Sequence, residues 1–335
     1  MIWRFCGNTG QPQPLPGSGI AYVYFIDVGQ GDCALIRSGE TDILIDSGEY
    51  DRCTDVFRTL DSLGVKELDY AVISHPHSDH MGCMYRIIEE YGAGTVIIPE
   101  IPEQMIPVNV SYTELMAVIG RNDIPIIYAK AGTTVDLGEA GMLDIIAPVR
   151  TYEDLNNFSA VLRYRFGDAG FLFCGDIEKE AEQDIVSAGC DISADVIKVP
   201  HHGSGTSSTR AFVNAVSPRY AVFSAGQEND FGHPHTNIVR LYESLGSEIL
   251  RTDLNGTITF ITDGHSINVN TEKERPMNSA HSLVFLSVTR RENYDRNART
   301  SEAFVSGFTF GMTFVTMPFS SIMKVVRTTP IDTLP

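Results

Sequence analysis

The run His75-Pro76-His77-Ser78-Asp79-His80 puts three imidazoles and one carboxylate within six positions, directly after the apolar stretch Ala71-Val72-Ile73. A lone histidine reads most simply as a satisfied core or surface residue and even a pair is weak evidence, whereas four ligand groups at this density are difficult to explain without a metal ion. Hydrolytic metal sites draw imidazoles and carboxylates from several chain segments and keep positions open for water and substrate. The fold must therefore gather the ends of distant segments at one place. His75 and His77, two apart in an extended loop, can converge on one ion. Asp79 and His80, at the helix start that follows, can serve a second.

The other histidines fall where such a fold needs them. Of nine in the chain, seven lie in three groups, His75/His77/His80, His201/His202 and His233/His235, and each group follows a predicted strand. Phe171-Leu172-Phe173-Cys174 followed by Gly175-Asp176 repeats the strand-to-loop pattern and delivers a carboxylate able to bridge two ions. Alone, Asp176 reads equally well as the N-cap of a helix starting near Glu178. Beside the histidines, the bridging role is preferred.

Apolar runs bounded by Gly and Asp predict strands near 21–27, 33–38, 42–46, 71–73, 95–98, 125–128, 142–147, 159–166, 170–174, 194–199, 219–224, 248–252 and 257–261. Helices are predicted near 52–63, 79–90, 112–119, 178–187, 208–216 and 236–245. That order suits two mixed sheets packed face to face with helices outside, and no internal repeat is visible. A catalytic domain is expected over 21–275, with a flexible leader over 1–20 and an extension of no assigned structure over 276–335.

The 335 residues, 43% of them hydrophobic, suffice for one large core. A formal charge of −18 repels polyanions, so an anionic substrate must be held by metal or local basic groups, and stable nucleic-acid binding is not expected. Residues 276–335 carry four acids and six bases, which leaves −20 on the rest. Six cysteines without a Cys-x-x-Cys pair indicate neither a zinc ribbon nor a dense disulfide framework and read as small buried apolar residues. Cys6-Gly7-Asn8-Thr9-Gly10 and the Pro/Gly-rich stretch after it read either as an ordinary disordered leader or as the tether behind a lipoprotein cysteine whose signal lies upstream. The first reading puts the protein in the cytoplasm and the second anchors it to a membrane as an extracellular lipoprotein. Residues 303–323 are uncharged and long enough to span a bilayer, but Gly, Ser, Thr and Pro318 dilute their hydrophobicity, and a β-rich or disordered extension is preferred.

Asp27-Val28-Gly29-Gln30-Gly31-Asp32, Ile45-Asp46-Ser47-Gly48, the His75 to His80 run, Gly175-Asp176 and His201-His202-Gly203-Ser204 occur in family order. Over about residues 21–270 the chain resembles the metallo-β-lactamase-fold domain of ComEC-type competence proteins and their stand-alone relatives. The resemblance implies an α/β fold of four layers, the αββα sandwich, with two divalent ions at the sheet edges, zinc or alternatively manganese, and hydrolysis as the reaction. It assigns His75 and His77 to the first ion, Asp79 and His80 to the second, and Asp176 to the bridge. One of His201 and His202 completes the second ion's shell, with His202 the preferred ligand and His201 facing substrate. Asp46 is implied to orient the ligand loop through hydrogen bonds.

One departure from the wider superfamily matters. Most members place a further histidine between the first group and the bridging aspartate, and no histidine occurs here between His80 and His201. Asn156-Asn157-Phe158-Ser159 stands at that place, which makes Asn157 and Ser159 candidate supporting or substrate-binding residues. The ion at His75 and His77 is accordingly expected to be the weaker, and the pattern points away from β-lactams.

A hydroxide held between two ions suits in-line attack on a phosphodiester, which favours a phosphodiesterase or nuclease with Asp79, His201 and His233 as catalytic residues. The stretch Gly203-Ser204-Gly205-Thr206-Ser207-Ser208 runs into a helix start whose amides and hydroxyls can hold a phosphate, Ser204 among them. Capping by Ser207 or Ser208 accounts for the same residues. Asn229-Asp230-Phe231-Gly232-His233-Pro234 matches the ComEC-type loop that closes over the site, where His233 is implied to contact phosphate or protonate the leaving group. His235 is read as starting the next helix. A cell-wall or small-molecule esterase, such as a phosphorylcholine esterase, is the alternative enzyme, and a noncatalytic binding module the alternative class. Lys198, Arg210 and Arg219 are sparse material for a nucleic-acid groove and read as solvated surface charges.

Overall fold

The computed structural model describes residues 19–273, so most of the expected leader and all of the expected extension, with its uncharged stretch, lie outside the described residues. In chain order, a first sheet is begun by β1 (Ala21–Phe25), β2 (Ala34–Ser38), β3 (Thr41–Ile45), β4 (Tyr70–Val72), β5 (Thr95–Pro99) and β6 (Ile126–Ala129). The chain then crosses to a second sheet of β7 (Thr133–Asp136), β8 (Met142–Ala147), β9 (Val161–Phe166), β10 (Ala169–Phe173), β11 (Val196–Lys198), β12 (Tyr220–Phe223) and β13 (Glu248–Arg251). It returns to the first with β14 (Ile258–Thr262) and β15 (Ile267–Thr271), giving spatial orders β15-β14-β1-β2-β3-β4-β5-β6 and β13-β12-β11-β10-β9-β8-β7.

Each sheet is antiparallel in one half and parallel in the other. The parallel halves are β3 to β6 and β10 to β13. Parallel strands need crossover connections, and these supply helices to the outer faces. Between β3 and β6 run α1 (Cys53–Leu63), α2 (Ser78–Met81), α3 (Met84–Tyr91) and α4 (Val110–Arg121). From β10 onward come α5 (Lys179–Ala188), α6 (Arg210–Val216), α7 (Thr236–Ser244) and the short α8 (Thr252–Asn255). One apolar core lies between the sheets, with Phe25, Phe171, Phe173 and Phe260 in ring contact. A second joins the first sheet to α1, α3 and α4, and a third joins the second sheet to α5, α6 and α7. The layers are therefore α, β, β, α.

Four sequence expectations need correction. The helix expected over 79–90 is broken into α2 and α3 at Gly82, where an added Cβ would lie 2.5 Å from the Tyr50 amide nitrogen. Cys53 and Cys83, read as free apolar residues, form a disulfide, while Cys33 and Cys174 are buried and free and Cys190 is exposed. Lys198, read as a solvated charge, is buried between the sheets; Arg210 and Arg219 are exposed. The start of α6 is capped by Thr209, not by Ser207 or Ser208, and its amides already hold an anion: Ser208 N and Thr209 N both donate to the buried Glu182 carboxylate. With Ser207 Oγ donating to Ile177 O, this helix start is not open to phosphate.

Candidate metal centre

The parallel halves aim their strand ends at one seam, where layered α/β folds bind ligands. From the first sheet, the loop after β4 delivers His75 to His80. From the second, the loop after β10 delivers Asp176 and that after β11 delivers His201 and His202. Two glycines permit the close approach. A Cβ at Gly31 would stand 2.3 Å from the Asp79 carbonyl oxygen, and one at Gly175 would stand 2.8 Å from Ser159 Oγ and 2.9 Å from Ser74 Cβ. Both also have positive φ, +130° and +52°. His201 (φ 49°) and His202 (φ 52°) take the left-handed region without being glycine, a strain of about 1–3 kcal/mol each that the surrounding structure must hold.

Donor atoms of Asp79, His80, Asp176 and His202 all lie within 4.8 Å of one another. His202 Nε2 stands 3.3 Å from Asp79 Oδ2 and 3.4 Å from Asp176 Oδ2, and His80 Nε2 stands 3.3 Å from Asp176 Oδ1. Both imidazoles are oriented from behind. Asp46 Oδ2 accepts from His80 Nδ1 at 2.9 Å, and the Ser224 carbonyl accepts from His202 Nδ1 at 2.9 Å. Asp46, itself at φ 57°, also accepts from Ser74 N and Ser74 Oγ at 2.7 Å each, so it ties the strand end to the ligand loop.

The inward-facing atoms test whether a cation suits this place. His80 Nε2, Asp176 Oδ1 and His202 Nε2 are buried and make no hydrogen bond. Buried polar atoms without partners are costly, and three of them aimed at one point, from two imidazoles and a carboxylate, suit a divalent ion such as zinc or manganese. Burial alone would lower the His80 and His202 pKa values, but the Asp176 carboxylate, with Asp79 and Asp46 beside His80 and Asp32 beside His202, outweighs it and raises both. Asp79 and Asp176 move down despite burial, under the positive pull of His80 and His202. Protons thus occupy the cluster that a cation would neutralise in their stead.

The other expected residues are placed as follows. His75 is buried, with Nε2 2.9 Å from His77 Nδ1 and its ring 4.2 Å from that of His80, and its pKa is lowered by burial and by His80. His77 is partly exposed. Among the described residues no third donor joins these two in a group like the first. His201 points Nδ1 at Glu178, 3.3 Å away, with Nε2 3.7 Å from Asp176. His233 packs its ring 5.7 Å from that of His201 and 5.6 Å from Phe231, and burial with His202 pushes its pKa down to about 4. Its Nδ1 is buried without a hydrogen bond. His235 takes the N-cap position of α7, and its Nδ1 accepts from Gly205 N.

In the stretch Asn156-Asn157-Phe158-Ser159, Ser159 Oγ accepts from the Asp176 amide at 3.0 Å and lies 3.4 Å from His75 Nδ1. Asn157 lies further back: its side-chain oxygen accepts from Glu178 N and Ala181 N and so caps α5, the helix that Asp176 leads into. Ser204 Oγ bonds Thr206 rather than pointing free. Asp176, read alone as a cap, faces the histidines, and Glu178 holds the N-cap position. Two residues went unassigned in the sequence. Asp32 is buried with Oδ1 3.3 Å from His202 Nδ1, and Lys198 is ion-paired to it. Asp32 ends the Asp27-Val28-Gly29-Gln30-Gly31-Asp32 motif, so its type and position are visible in the sequence; its contact to Lys198 of β11 is not.

A family model described as the Metallo-beta-lactamase superfamily matches residues 26–227. ComE operon protein 3 of Bacillus subtilis (strain 168) is 27% identical over 258 residues, 71% of this chain and 32% of that protein. Competence protein ComA of Neisseria gonorrhoeae is 31% identical over 256 residues, 75% of this chain and 33% of that protein. The chain thus spans about a third of the length of these curated relatives. Among solved structures, CmlA, a diiron β-hydroxylase from Streptomyces venezuelae, aligns with a TM-score of 0.47 at 17% identity, over 74% of this chain and 55% of that one. Residues that could hold a metal ion cluster within the family match, which takes in more than half of the chain and every residue of that cluster, and the chain accordingly belongs to the metallo-beta-lactamase superfamily.

Proposed function

We propose that the chain is a metal-dependent phosphodiesterase. The observation that carries the reading is the convergence of Asp79, His80, Asp176 and His202 on one point, with three buried donor atoms left unpartnered there. These four would hold the firmer of two ions, and His75 with His77 the weaker. Bound there, divalent cations supply Lewis acidity, acidifying water and offsetting charge on a phosphoryl oxygen. The protein's own groups do the rest. Asp46 and Ser224 fix the two inner imidazoles, and Asp79, the most exposed of the four ligands, is placed to orient a water. His201 and His233 line the approach, where ring N–H groups can hold a phosphate oxygen. A phosphate ester fits better than a lactam because no histidine occurs between His80 and Asp176 to serve as a further ligand, and because one of the two curated relatives is a competence protein by name.

A second reading, a small-molecule esterase, is favoured by one feature. A cleft of about 1030 Å3, lined by none of the four cluster residues, includes Phe231, whose ring lies 5.6 Å from that of His233, and carries six carboxylates, among them Asp27, Asp55, Glu228 and Asp230, against Arg52, Arg58 and Lys273. Such a wall suits a small diester with a neutral or cationic end better than a polynucleotide.

Metal analysis of the purified protein, followed by assay of bis-p-nitrophenyl phosphate, p-nitrophenyl phosphate, plasmid DNA and a chromogenic lactam with zinc or manganese, tests both readings. Diester hydrolysis that Asp79→Ala and Asp176→Ala lower by at least about 100-fold is expected. Plasmid cleavage separates the nuclease from the small-molecule enzyme. Protein that takes up no metal and gains no activity from it would overturn the proposal.

A further inference from the structure

The ammonium of Lys198 lies in the interior between the sheets, at the end of β11, two residues before the loop that carries His201 and His202. It is ion-paired to Asp32, donates to the Gly175 carbonyl at 3.1 Å and stands 3.7 Å from Asp176 Oδ1. Asp32 belongs to the other sheet, in the loop between β1 and β2. Its carboxylate lies 3.3 Å from His202 Nδ1 and 3.7 Å from His80 Nδ1, and its amide donates to the Asp79 carbonyl at 3.1 Å. The pair therefore touches all four residues of the cluster or the peptide beside them, and it bridges the sheet that carries Asp79 and His80 to the sheet that carries Asp176 and His202.

Stability alone does not account for an ion pair at this depth. Two charges removed from water cost several kcal/mol each, and well-packed apolar residues often replace such pairs without loss. Ligand geometry does account for it, because a metal centre assembled from two sheets needs their separation fixed to a few tenths of an ångström. We infer that the Asp32–Lys198 ion pair is a positioning pair that holds the two halves of the metal centre in register. The inference rests on the metal-centre reading above. Lys198 locks the peptide before Asp176, and Asp32 holds the Asp79 carbonyl through its amide and sets its negative charge behind His202 and His80.

The test compares metal affinity with fold stability in the full chain. Zinc and manganese are titrated against a chromophoric chelator, cobalt(II) spectra are recorded, and thermal melting is followed by circular dichroism. The variants are Lys198→Met, Asp32→Asn and the two combined. The combined variant removes both charges and leaves no uncompensated ion inside, so it is the one expected to keep its fold. Lys198→Gln, which retains a donor toward Asp32, serves as a second probe should it melt early. We expect a 10- to 100-fold loss of metal affinity and shifted cobalt bands in a combined variant that melts close to the parent, in the range seen when groups behind metal ligands are removed. A folded combined variant that binds metal as tightly as the parent, with unchanged cobalt bands, would overturn the inference while leaving the metal centre standing. A parent chain that binds no metal would overturn the metal-centre reading itself, and this inference with it.

Discussion

At the scale of single residues, the site is built from groups that work in opposed pairs. His80 presents Nε2 to the carboxylates and gives Nδ1 to Asp46; His202 does the same between Asp79, Asp176 and the Ser224 carbonyl. The sign of the resulting pH dependence follows directly. Both pKa values are raised above the ordinary 6.5, so the protonated imidazoles stabilise the metal-free fold fully below that pH and cease to do so as pH rises through the raised values. A metal at Nε2 must displace those protons. Apparent affinity should therefore climb from pH 6 to 8, by up to about 100-fold per unit where two protons leave together, with matching proton release in weak buffer. Competition titration against a chelator of known pH behaviour checks this, and a flat profile would show that the two imidazoles are not the ligands. The residues of this cluster were legible because histidine is rare and its grouping after strands is visible in one dimension. Asp32 and Lys198 were not, because nothing local distinguishes a lysine at the end of a buried central strand from one at a surface edge.

At the scale of elements, legibility followed burial. Strands with a continuous apolar run, such as β2, β5 and β10, were read to within a residue or two. The two strands missed, β7 and β15, are the polar edges of their sheets, where sequences such as Thr133-Thr134-Val135-Asp136 carry one buried residue or none. An edge strand needs only half the apolar contacts of a central one, so it writes a weaker signal. The Cys53–Cys83 bridge was hidden for another reason: a separation of 30 residues has no spacing signature. The bridge ties the start of α1 to the break between α2 and α3, three residues after His80, and Cys83 N also donates to Ser47 Oγ. Closing a loop of that length should stabilise the fold by about 3–4 kcal/mol. Chemical denaturation of the Cys53→Ala/Cys83→Ala variant should show a loss of that order, and metal affinity should fall with it, since His80 O accepts from Ser47 N across the same contact. A variant as stable as the parent would show that the bridge constrains little.

At the scale of the whole molecule, charge and site pull in opposite directions. The chain carries −18 in total and about −20 outside its last 60 residues, yet the proposed reaction brings an anion to cations held at its centre. A field of that sign must slow the approach of a phosphate diester, and the six carboxylates of the cleft that includes Phe231 add to that repulsion. Screening relieves it. The Debye length shrinks from about 30 Å at 10 mM salt to about 8 Å at 150 mM. For an anionic diester, kcat/KM should rise by roughly two- to fivefold over that interval, whereas kcat at saturation and kcat/KM for a neutral ester should stay level. Steady-state assays at matched metal loading separate these cases. The opposite slope for plasmid DNA, falling as salt is added, would mean that basic groups dominate its approach, and the nuclease reading would then gain over the small-molecule one.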